Sequence, residues 1–149
     1  MSPVIQTLRA WRILHRTLAA TLAATATGCV PYPVHKTMQP AARVTVMDTQ
    51  SQPLSDARVI LISRSYPYGR ERSRQEVRTM PTGKASFSAQ TEWRVESLML
   101  HGSEIYFWNW CVEKAGYETY ETLNNAASQF DDKLIVQLPP GESRSCDRL

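Results

Sequence analysis

From Arg43 onward the chain alternates apolar and polar residues with a period of two, and this pattern constrains the fold more than any other feature. Successive side chains of an extended strand point to opposite faces, so alternation marks strands with one buried side. In "ARVTVMD", Val44 and Val46 share a face opposite Arg43 and Thr45. In "DARVILIS", Ala57, Val59 and Leu61 share a face, while Ile60 and Ile62 make the other side apolar too, as in a strand covered on both sides. "GKASFSAQ" alternates Ala85, Phe87 and Ala89 with serines, and "KLIVQL" alternates Leu134, Val136 and Leu138 before "PPG" stops it. No helical periodicity of comparable strength competes, and "NNAASQFDD" has room for a turn or two at most. Short strands separated by Pro- and Gly-containing turns point to an all-β sandwich. The length of 149 residues and an apolar content of 42% suit one packed domain.

The densest stretch is "EIYFWNWCVEK". Tyr106, Trp108, Trp110 and Val112 fall on one face, and Ile105, Phe107, Asn109, Cys111 and Glu113 on the other. Aromatic side chains bury large areas and dominate small cores, so the first face is expected to fill the space between sheets. The competing reading is an aromatic platform for sugar or peptide, for which an exposed patch around Phe107 would be the better candidate.

The N-terminal segment carries different information. Arg9, Arg12 and Arg16 precede a short apolar stretch from Thr17 to Thr27, the physical plan of an export signal. It ends in Ala26-Thr27-Gly28-Cys29, which resembles the lipobox of bacterial lipoproteins, matching best at Gly28 and Cys29. The resemblance implies cleavage after residue 28, acylation of Cys29, and anchoring in the cell envelope. Val30 rather than Asp after the cysteine implies the outer membrane facing the periplasm. A plain secretory signal, or an uncleaved helix with a buried Cys29, is the competing reading. The following "VPYPVHKTMQPAA" contains Pro31, Pro33 and Pro40 and is expected to form a semi-stiff tether over 29–41. Without the three leader arginines, the 17 basic residues fall level with the 14 acidic ones, so charge gives no argument for a nucleic-acid partner.

The remaining chain, 42–140, resembles the carboxypeptidase regulatory-like, transthyretin-type (prealbumin-like) β-sandwich. The residues that carry the likeness are Asp48, then Pro53, Leu54, Ala57 and Val59, then Thr79, Gly83, Ala85 and Phe87, and finally Gly116 and Tyr117. The resemblance implies a sandwich of about seven strands, followed by a tail over 141–149. Met80 and Pro81 depart from the family's turn, where Asp is common, and the loop from Ser65 to Arg74 is long for it.

With Cys29 assigned to lipid, Cys111 and Cys146 remain, and an even pair in an oxidising compartment is expected to bridge. Only His35 and His101 accompany them in the mature chain, without metal-ligand spacing, so no metal or other cofactor is expected. The run "SRSYPYGRERSRQEVR" gathers Arg64, Tyr66, Tyr68, Arg70, Arg72 and Arg74 as candidate partner-binding residues. Guanidinium groups among tyrosines suit phosphate or carboxylate, whereas a solvated hairpin loop diluted by Glu71 and Glu76 is the plainer reading. Transthyretin-type folds include a hydrolase of purine breakdown, but its C-terminal Tyr-Arg-Gly-Ser is here Ser143-Arg144-Ser145-Cys146, and no nucleophile elbow surrounds any serine. The expectation is therefore a non-enzymatic, lipid-anchored envelope module that binds or assembles envelope proteins. A carbohydrate- or peptide-binding accessory module using exposed aromatics is the alternative.

Overall fold

A computed structural model describes residues 31–66, 69–97 and 104–148. The leader, Cys29 and Tyr68 lie outside the described residues. The chain divides into two compact units, Met1–Val34 with Arg94–Ser103, and His35–Trp93 with Glu104–Leu149. The core and the candidate site belong to the second.

Among the described residues the protein is all-β, with nine strands: β1 (Pro31–Gln39), β2 (Ala42–Asp48), β3 (Arg58–Tyr66), β4 (Arg70–Arg78), β5 (Lys84–Phe87), β6 (Gln90–Ser97), β7 (Ile105–Glu113), β8 (Tyr120–Glu121) and β9 (Lys133–Leu138). They form three open sheets: β1-β6, β5-β2-β9 and β4-β3-β7-β8. Strand β2 pairs antiparallel with β5 and parallel with β9. The four-stranded sheet is antiparallel throughout.

The alternating residues explain the layering. Val44, Val46, Ala85, Phe87, Leu134, Val136 and Leu138 of the three-stranded sheet share one buried cluster with Val59, Leu61, Trp110 and Val112 of the four-stranded sheet. Two sheets thus face each other across a common core in a sandwich-like arrangement. Trp110 sits at its centre, stacked on Phe130 with ring centroids 5.3 Å apart and edge-on to Phe87. Its Nε1 donates to the Asp131 carbonyl at 2.9 Å, satisfying the one polar atom of the ring. Tyr106, Trp108 and Trp110 therefore serve packing, and Phe107 on the opposite face is buried as well.

The turn residues have equally specific reasons. Asp48 Oδ1 accepts from the backbone N–H groups of Gln50 and Gln52, both at 2.8 Å, which folds the chain back toward Pro53. Thr79 is buried, and its hydroxyl accepts from Ala57 N and donates to Leu54 O, locking the approach to β3 against the end of β4. Gly83 has φ of 71°, and a Cβ there would run into the carbonyl oxygen of Val46, so both conformation and space require glycine.

Two segments differ from the sequence expectation. The Pro-rich stretch expected as a tether is strand β1, paired with β6. Proline is tolerated on edge strands, and a two-stranded sheet consists only of edges. The end of β1 is anchored: the Met38 carbonyl accepts from Ser63 Oγ at 2.6 Å and Trp108 Nε1 at 2.8 Å, while the fully buried Gln39 donates to Gln75 Oε1 and Ser88 O. The Arg-rich run from Arg70, expected as a solvated loop, is strand β4, paired with β3 from Arg58 opposite Arg78 to Ser65 opposite Arg70. Its side chains are almost all polar, so the strand rests on backbone pairing rather than on alternation.

Candidate functional site

The outer face of the four-stranded sheet, away from the shared core, carries the unusual chemistry. On β3 the odd residues Val59 and Leu61 point into the core, which turns Arg58, Ile60, Ile62 and Arg64 outward. Opposite them on β7 stand Glu113, Cys111, Asn109 and Phe107. Cys111 is joined to Cys146, with Cα atoms 6.0 Å apart, and the two cysteines form a second buried cluster with Ile60 and Ile62. The C-terminal tail thereby covers the middle of this face. Thr119 Oγ1 also ties it down, donating to Arg144 O and accepting from Arg144 N.

Charge saturates one end of the face. Arg58 meets three carboxylates: Glu113 at 2.9 Å, and Glu76 and Asp147 at 2.8 Å each. Hydrogen bonds it donates to Glu76, Asp147 and Glu113 keep its guanidinium charged well above the usual arginine range. In return Arg58 holds the carboxyls of Glu76 and Asp147 below their ordinary values. The second oxygen of Glu113 accepts from Cys146 N at 2.6 Å. Beside them Arg74 grips Glu71 bidentately, with both bonds at 2.9 Å, and donates to the Cys146 carbonyl at 3.0 Å. That fork lowers the Glu71 carboxyl.

The other end is different. A register shift falls between Ser63 and Arg64 in the β3–β4 pairing, and beyond it Arg64 lies opposite Glu71 on β4 and Phe107 on β7. Arg64 is half-buried, its Nε has no hydrogen-bond partner, and among the described residues it forms no ion pair. It lines a cleft of about 230 Å³ with Ile62, Phe107, Asn109, Leu123 and Asn125. Asn109 builds one wall: its Oδ1 accepts from Asn124 N at 2.5 Å and Thr122 Oγ1 at 3.3 Å, and its Nδ2 donates to Asn124 O. The Asn124 amide in turn donates to Trp108 O at 2.9 Å, so the chain after β8 is pinned alongside β7.

The structure thus separates the sequence-derived candidates. Arg72 is engaged elsewhere, its Nε donating to Ser65 Oγ and its Nη2 paired with Glu104, which also accepts from Ser65 Oγ and the Tyr106 hydroxyl. Arg74 holds the tail. Arg70 is exposed at the start of β4, and Tyr66 is 61% exposed at the end of β3. Tyr68 and the lipidation candidate Cys29 fall outside the described residues. Leu123 and Asn125 escaped the sequence reading because "TLNN" carries no periodicity, whereas alternation had already put Asn109 on the face opposite Trp108 and Trp110. Trp93, 73% exposed on β6 beside His35 at 5.1 Å, was hidden in the same way. Among the described residues no three of His, Cys, Asp and Glu gather as metal ligands.

No family model matches the chain, and neither do curated proteins or solved structures.

Proposed function

We propose that this chain is a small, lipid-anchored protein of the bacterial cell envelope whose β-sandwich, of transthyretin type, is a non-catalytic module for binding or assembling envelope proteins. The observation that carries the reading is Arg64: a half-buried cation that forms no ion pair among the described residues, on a face where Arg58 and Arg74 are each held by carboxylates. An unpaired, partly desolvated guanidinium is costly for folding alone and suits a partner that supplies the anion. Tyr66 beside it adds an exposed aromatic of the kind enriched at interfaces. The Cys111–Cys146 bridge supports export, because such bonds persist in oxidising compartments.

Two measurements test this. The intact mass of protein extracted from an envelope with detergent should begin at Cys29 plus acyl chains, and a mass retaining residues 1 to 28 would sink the anchor. Cross-linking in intact envelopes should give a discrete adduct that Arg64→Glu abolishes; an unchanged adduct would remove Arg64 from the interface.

Trp93 favours a second reading, a carbohydrate- or peptide-binding accessory module, since an exposed indole stacks well on a sugar ring. Tryptophan fluorescence that shifts with glycans in the parent protein and not in Trp93→Ala would support it.

A further inference from the structure

We infer that the Arg64 cleft is a receptor for the C-terminal residue of a polypeptide, taking its carboxylate at Arg64 and its apolar side chain over Ile62 and Phe107; this rests on the binding-module reading above. Arg64 is the unpaired cation of the cleft, and Arg74 on the same face is held bidentately by Glu71, which lies opposite Arg64. The three groups together leave a net charge of one, which suits a monovalent anion; a phosphate dianion would call for a second free cation. A planar guanidinium matches a carboxylate with two parallel hydrogen bonds.

The shape of the cleft selects what is attached to that carboxylate. Ile62 and Phe107 are buried and form an apolar floor, and Leu123, 84% exposed, stands beside them as an apolar residue with nothing covering it among the described residues. Asn125 adds an amide that can bond a peptide group. A space of about 230 Å³ holds one apolar residue, and the Asn125 amide has a peptide group to bond that a fatty acyl chain lacks. The wall is rigid, because Asn109 and Asn124 have their amide groups engaged in fixing the segment 122–125. A preformed pocket with one unmatched charge costs little ordering on binding.

The test uses the full chain with its disulfide intact and three probes: N-acetyl-alanyl-leucine, the same dipeptide as its C-terminal amide, and octanoate. Titration calorimetry should show binding of the free acid, at least tenfold weaker binding of the amide, and no competition by octanoate. Arg64→Gln should lose the acid while Arg72→Gln, which alters the Ser65–Glu104 side, keeps it. Leu123→Asp changes an exposed residue, spares the core, and should also lose the acid, so the result does not hang on Arg64→Gln folding. Equal binding of acid and amide, or no binding of the acid by a folded chain, would overturn the assignment. Octanoate competing as well as the dipeptide would overturn the polypeptide source and point to a fatty carboxylate. An envelope adduct that depends on Arg64 without any dipeptide binding would overturn this inference while leaving the binding-module reading in place.

Discussion

Arg58 and Arg64 stand at the two ends of β3 on the same outer face, separated only by Ile60 and Ile62, yet their surroundings are opposite. Arg58 meets Glu76, Glu113 and Asp147 from β4, β7 and the tail, and the disulfide holds that tail in place. Arg64 meets no carboxylate in an ion pair among the described residues and borders an open cleft. A saturated arginine cross-links the fold, and an unsaturated one on the same strand is available to something outside it. Sequence type alone does not separate the two roles.

Substitutions at each end of β3 test the difference between the two arginines. The largest effect belongs to the staple: replacing Cys111 and Cys146 with serine frees a loop spanning 35 residues and should lower stability by roughly 3 to 4 kcal/mol in urea unfolding. The loss should concentrate at the Arg58 end, with hydrogen exchange rising first around residues 58–60 and 111–113. Uniform loosening that includes the Arg64 wall would erase the distinction. Next, Arg58→Gln should cost about 1 to 2 kcal/mol, below the full value of charged hydrogen bonds because Glu76 and Asp147 are substantially exposed.

Acid titration gives a smaller effect with a defined sign. The carboxyls of Glu76, Asp147 and Glu71 lie below their ordinary values because Arg58 and Arg74 bond their charged forms. Folded carboxylates with lowered pKa contribute stability above the unfolded value, so that contribution is present at neutral pH and is lost as pH falls below about 4. Urea midpoints at pH 7 and pH 3 should differ less in Arg58→Gln than in the parent protein; an equal difference would show that Arg58 does not act through these groups. Arg64→Gln should have the smallest effect, within about 0.5 kcal/mol, because no intramolecular hydrogen bond or ion pair is lost. A destabilisation as large as that of Arg58→Gln would place Arg64 among the structural arginines.

How much of this could be read along the chain follows from where each signal is stored. The strands β2, β3, β5, β7 and β9 are legible because each has one face in a core, and burial writes period two into the residues themselves. The division of β7 into a core face and a Cys111–Glu113 face is legible for the same reason, as is the pairing of two cysteines once the third is set aside. Strands β1, β4 and β6 are not, since their stability comes from backbone pairing with distant partners, and residues such as "RERSRQEVR" show no burial pattern to read.

The sequence by itself determined an all-β chain, its turns at Asp48, Thr79 and Gly83, and a cluster of arginines that looked equivalent. Tertiary structure decided which of them are occupied. Arg74 is held by Glu71 three residues away, but Glu104, Glu113 and Asp147 lie 30 or more residues from the arginines they meet, and only the pairing of β3 with β4 and β7 and the bridge to Cys146 bring them within reach. Ion pairs depend on separations of a few ångströms, which sequence distance does not encode.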